Sequence, residues 1–153
     1  TVWFFPSITD LNDLEFDENS YLYQKTLETA RTLVQDSQGE YFVSMPDATG
    51  NADALAHLLG SEELLISMAE EPAAAKSALD KIQQAYQRIM DDVRTITKEN
   101  NQGGGCISWL QTWAPGYHAQ MQCDLSVMIS NPMFKEFIMP VNANIYLSHF
   151  PGK

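Results

Sequence analysis

Tyr23, Leu27, Ala30 and Val34 recur at steps of four, three and four, which predicts a helix over residues 20–38 with a single apolar face, stopped by Gly39. Tyr41-Phe42-Val43-Ser44-Met45 is aromatic and β-branched and predicts a strand, closed by Pro46-Asp47. A helix from Ala52 turns Leu55, Leu58 and Leu59 inward and ends at Gly60, and Ser61 caps a second short helix carrying Leu64, Leu65 and Met68. Pro72 suits the first turn of a long helix to Asn100, about 42 Å at 1.5 Å per residue, with Ala75, Leu79, Ile82, Tyr86, Ile89, Val93 and Ile96 as its apolar stripe. Cys106-Ile107-Ser108-Trp109-Leu110 predicts the next strand, and an aromatic loop follows through Trp113, Tyr117 and His118. Asp124 precedes a short apolar run to Ile129. Asn131-Pro132 opens a helix holding Phe134, Phe137 and Ile138, which Pro140 stops. Val2-Trp3-Phe4-Phe5, closed by Pro6, reads as a buried strand end or a loop packing onto one, and Ile145-Tyr146-Leu147 as one more strand. Strands that alternate with helices, joined by no hairpin, predict an α/β fold with a parallel sheet.

Composition narrows the chemistry. At 153 residues the chain suits one ordinary domain with a real core. The net charge of −11 repels nucleic acid and anionic membrane, and no Lys/Arg cluster reverses this locally. No apolar run approaches the roughly 20 residues that cross a bilayer, and the start has no basic segment of a signal peptide, so a cytoplasmic location is expected. Cys106 and Cys123 fit free thiols of a cytosolic protein better than a disulfide. Gly103-Gly104-Gly105 lacks the Gly-Lys ending of a phosphate loop and precedes a strand, so it reads as a connector.

Two phrases carry a family likeness. One runs Gly50-Asn51-Ala52-Asp53-Ala54-Leu55-Ala56-His57-Leu58-Leu59-Gly60-Ser61-Glu62-Glu63-Leu64-Leu65, and leads to a Glu-Glu-Pro that starts the long helix. The other joins Trp113-Ala114-Pro115-Gly116 and Gln122-Cys123-Asp124 to Ile129-Ser130-Asn131-Pro132-Met133-Phe134-Lys135-Glu136-Phe137-Ile138-Met139-Pro140. Together they resemble the uroporphyrinogen decarboxylase-like superfamily over residues 1–140, with Asn131 inserted where that family reads Ser-Pro. The resemblance implies a partial (β/α)8 barrel of three to four β/α units, the middle of a larger barrel, with residues 141–153 as an atypical tail. It also implies a parent enzyme that acts on a small or tetrapyrrole-like organic acid by decarboxylation or methyl transfer. The family's arginine motif, early Asp and late His would all lie outside this chain, so the isolated chain is expected to be inactive. The alternative is a truncated or degenerate relative that folds and self-associates without turnover.

The candidate site residues each carry two readings. Asp124, expected just beyond a barrel strand, reads as a pocket carboxylate or as a turn aspartate. His57, near the position of the family's active-site Tyr, reads as a proton donor or as a helix histidine packed beside Leu58. Trp109, Trp113, Tyr117 and His118 read as walls of a substrate pocket or as loop packing. His118 and Cys123 do not match the spacing of a zinc pair, so no metal is expected in this chain. No cofactor is expected either, cobalamin or zinc in the parent enzyme being the alternative. Three or four β/α units cannot close a barrel. The open edge, or the stripe from Ala75 to Ile96, therefore predicts a homodimer, and a small-molecule substrate is the other expected partner.

Overall fold

In the computed structural model, which describes residues 6–48, 50–117, 120 and 122–141, the helices follow the apolar periodicity. They are α1 (Tyr21–Ser37), α2 (Asn51–Leu59), α3 (Ser61–Glu70) and α4 (Pro72–Thr97). The remaining regular pieces are β1 (Gly105–Ile107), β2 (Thr112–Ala114) and a short α5 (Asn131–Met133) that runs into a wide π-helical turn at Phe134–Ile138. The described residues are thus mostly helical with one small sheet. Among the described residues no helix is long and apolar enough to cross a membrane.

The chain divides into two compact units. The first comprises Thr1–Glu15, Thr49–Tyr86 and Met121–Lys153; the second comprises Phe16–Ala48 and Gln87–Gln120. Helix α4 supplies its first part to one and its last part to the other. Its buried positions are Ala75, Ala78, Leu79, Ile82, Gln83, Tyr86, Met90, Val93 and Thr97, so burial passes to Met90 and Thr97 where the apolar stripe predicts Ile89 and Ile96.

In the first unit, α2, α3 and the start of α4 wrap Leu55, Leu64 and Leu79, which are fully buried with Ile138. Each such side chain contributes about 1.5–3 kcal/mol of burial. Gly60 lets α2 turn directly into α3: its φ of +108° suits a residue without a Cβ, and its N–H closes α2 on the Ala56 carbonyl at 3.0 Å. Ser130 caps α5 by accepting from the Met133 N–H. The helical backbone continues to Val141, so Pro140 does not stop it as expected.

The second unit departs further from expectation. Residues 41–45 are not a paired strand. Their ladder is supplied by asparagine side chains: Asn101, fully buried, accepts from the Val43 N–H (2.9 Å) and donates to the Val43 carbonyl (2.8 Å). Asn100 donates to the Tyr41 carbonyl (3.0 Å) and accepts from the buried Ser37 hydroxyl (2.6 Å). One backbone bond, Met45 N–H to the Cys106 carbonyl (2.8 Å), completes the edge. The strand expected over 106–110 is shorter: β1 gives way at Ser108 to a 3-10 turn, and the loop beyond it returns as β2. The two strands are antiparallel, pairing Gly105 with Ala114 and Ile107 with Thr112. The close return is possible because Gly104 has no side chain, as a Cβ there would lie 2.5 Å from the Trp113 ring. Among the described residues there is no parallel β/α unit. The strand end or loop expected at 2–5 and the strand expected at 145–147 lie outside the described residues.

Candidate functional site

Two buried polar side chains at the start of α2 organise the first unit. Asp53 is 6% exposed, and its carboxylate accepts from two consecutive backbone N–H groups, Asp124 (2.8 Å) and Leu125 (2.9 Å). These are the first N–H groups of the 3-10 helix Asp124–Met128, so Asp53 acts as a cap supplied by a distant element. Asn51, 4% exposed, donates from Nδ2 to the Gln122 carbonyl (2.6 Å) and accepts from the Ala52 N–H. It adopts a left-handed φ of +47°, which asparagine tolerates better than most residues. Three bonds therefore fasten residues 122–125 to the first turn of α2.

Beside this junction lies a cleft of about 240 Å³, lined by His57, Ser61, Gln122, Asp124, Leu125 and Met128 together with Asp53 and Ala56. His57 stands in the last turn of α2 and Ser61 is the first residue of α3. The Asp124 carboxylate accepts from the Gln122 amide (3.1 Å) and is exposed. Asp124 opens a 3-10 turn and does not follow a strand, a correction to its expected placement. The structure thus brings Asp124 and His57 to one cleft.

Cys123, between the anchored residues, is a poor nucleophile. Burial, then the nearby Asp53 carboxylate, pushes its thiol up to about 11. Burial also raises Cys106. Zinc takes Cys, His and Asp/Glu donors; of those near this cleft, Asp53 is already committed to two backbone N–H groups. Among the described residues no group of three or more His, Cys, Asp or Glu converges as a metal site. The cleft, at about 240 Å³, is smaller than the roughly 300–1,000 Å³ of pockets for drug-sized ligands.

Trp109, Trp113 and Tyr117 belong to the second unit and are not among the residues that line this cleft. Trp109 donates to Gln120 (2.9 Å). Trp113 donates to the Asn101 carbonyl (3.2 Å) and stacks on Phe42 with centroids 5.8 Å apart. The Arg94 guanidinium lies 5.7 Å above the Tyr117 ring. His118 lies outside the described residues.

Asn51 and Asp53 were not candidates from sequence. Their signal is two short polar side chains that open an apolar helix, a pattern equally common in an ordinary cap. No family model matches the chain, and neither the curated proteins nor the solved structures contain a match.

Proposed function

We propose that this chain is part of an enzyme of the uroporphyrinogen decarboxylase-like superfamily, and that the His57–Asp124 cleft forms part of a site for a small organic acid, which undergoes decarboxylation or methyl transfer. One observation carries the reading: the two phrases that resemble the family, remote in sequence, are fastened to each other by Asn51 and Asp53, and the cleft opens where they meet. On this reading the β/α units of the barrel belong to chain outside the described residues.

The lining favours a small acid over a polycarboxylate. It contains no Lys or Arg, which a substrate with many carboxylates would want as bidentate partners. The Ser61 hydroxyl and the N-terminal end of α3 offer donors for a single carboxylate. In a decarboxylation, the carbon–carboxylate bond breaks, carbon dioxide leaves and its electron pair stays on the substrate carbon. His57 would then deliver a proton to that carbon. Asp124, exposed at the rim, would accept a hydrogen bond from a substrate hydroxyl or amine and fix its orientation.

Amide NMR spectra of the chain, titrated with short mono- and dicarboxylic acids, test the proposal. Saturable shifts confined to residues 56–61 and 122–128, weakened in His57→Gln and Asp124→Asn, are expected. An unchanged spectrum at millimolar acid, or the same response in both variants, overturns it. A non-catalytic relative is the second reading, favoured by the antiparallel sheet where parallel units are expected. A reading frame that continues on both sides to roughly 250 residues or more supports the enzyme.

A further inference from the structure

Each side-chain bond that the buried Asn51 and Asp53 make beyond α2 ends on a residue that lines the His57–Asp124 cleft. Asn51 reaches Gln122, and Asp53 reaches Asp124 and Leu125. Asn51 holds a left-handed φ of +47°, which most side chains avoid, and its Oδ1 accepts from the next N–H, that of Ala52. That pose aims Nδ2 at the Gln122 carbonyl (2.6 Å). A non-glycine residue kept in a sparsely populated conformation beside a cleft points to function. Gln122 passes the constraint on, because its side-chain amide donates to the Asp124 carboxylate (3.1 Å). Asp124 is thus held at both ends, its N–H by Asp53 (2.8 Å) and its carboxylate by Gln122.

We propose that Asn51 is a positioning residue of this site, setting through Gln122 where the Asp124 carboxylate stands over the cleft; this rests on the small-acid reading above. Asn51 is 4% exposed and is not among the lining residues, so its effect on a ligand is indirect. Residue 122 belongs to no helix or strand, and no backbone ladder orders it. The Asn51 amide does so instead. A ligand that meets a wall already ordered does not bear the entropy of ordering it, and binds more tightly for that reason. Asp53 is a poorer probe of the same idea, since its loss also strands the buried Leu125 N–H.

Amide NMR of the whole chain, titrated with a short monocarboxylate, tests the proposal in the parent, Asn51→Gly and Asn51→Asp. Glycine adopts the left-handed φ freely but has no amide. Aspartate keeps an acceptor for the Ala52 N–H but has no donor for the Gln122 carbonyl. In the parent, backbone order parameters at 122–125 should stand at about 0.85 with or without acid. In both variants residue 122 should fall below about 0.6. The acid should then bind about tenfold more weakly, while melting stays within about 6 °C of the parent. A merely structural role would lower the melting point and leave the affinity of the folded protein unchanged. Should the variants fail to fold, the parent decides: residues 122–125 mobile without acid and ordered by it overturn the proposal. An acid that binds parent and variants alike overturns it and leaves the small-acid reading standing. An acid that binds none of them overturns both.

Discussion

Replacing Asp53 by Ala removes the one side chain that bonds both leading N–H groups of the 3-10 helix Asp124–Met128. A hydrogen bond to a charged group is worth about 1.5–3 kcal/mol, so the gross loss is roughly 3–6 kcal/mol. The Leu125 N–H is buried and stays unsatisfied, whereas the Asp124 N–H is only part-buried and regains water. The net loss therefore falls at the lower end, about 3–4 kcal/mol. Asp53→Asn keeps one acceptor and points an amide N–H at a second donor, and should cost about 1.5–3 kcal/mol. The control is Asp124→Asn: that side chain is exposed, and its loss should stay within about 0.5 kcal/mol. Urea unfolding should be followed by far-UV circular dichroism, because two of the three tryptophans, Trp109 and Trp113, sit in the other unit. A midpoint for Asp53→Ala equal to that of Asp124→Asn would refute the view that Asp53 holds the 122–125 segment. An independent check uses Cys123: losing the Asp53 charge should lower the thiol from about 11, seen as faster alkylation at pH 9.

Burial pushes the Tyr86 phenol up to about 12 from 10.0. The folded form therefore holds its proton where the unfolded form has lost it, and Tyr86 should lower stability by roughly 2–3 kcal/mol between pH 10 and 12, a contribution that Tyr86→Phe removes. Both cysteines, raised by burial, should react slowly with iodoacetamide at pH 7.5 and rapidly once urea unfolds the chain. Asn101→Ala strands the buried Val43 N–H and C=O and should cost about 2–4 kcal/mol in urea melts. Asn101→Asp, which sets a carboxylate against the Val43 carbonyl, should be at least as damaging, and stability equal to the parent's in either variant would refute the clamp.

The helices are legible in the sequence because burial of one face imposes its own period, as Tyr23, Leu27 and Ala30 in α1 and Leu64 and Met68 in α3 show. The strands are less so. Tyr41-Phe42-Val43-Ser44-Met45 has the composition of a strand, but composition does not say what completes the ladder, and here two asparagine side chains do. The antiparallel return of β2 depends on the space above Gly104, which no periodicity records. At the candidate site, His57 and Asp124 can be chosen from the family phrases, whereas the roles of Asn51 and Asp53 depend on contacts 71 and 72 residues away.

The asparagine clamp also sets an order of events during synthesis. Val43 waits for a partner that follows 58 residues later in the chain. At about 5–20 residues per second, Asn101 is added about 3–12 s after Val43. Through that interval a run of five largely apolar residues has no strand to template it and no amide to quench its backbone. Such a stretch on a nascent chain invites pairing with its neighbours on the same messenger. Slow translation between these two positions should therefore lower the soluble yield, and a chaperone that holds extended apolar segments should restore it.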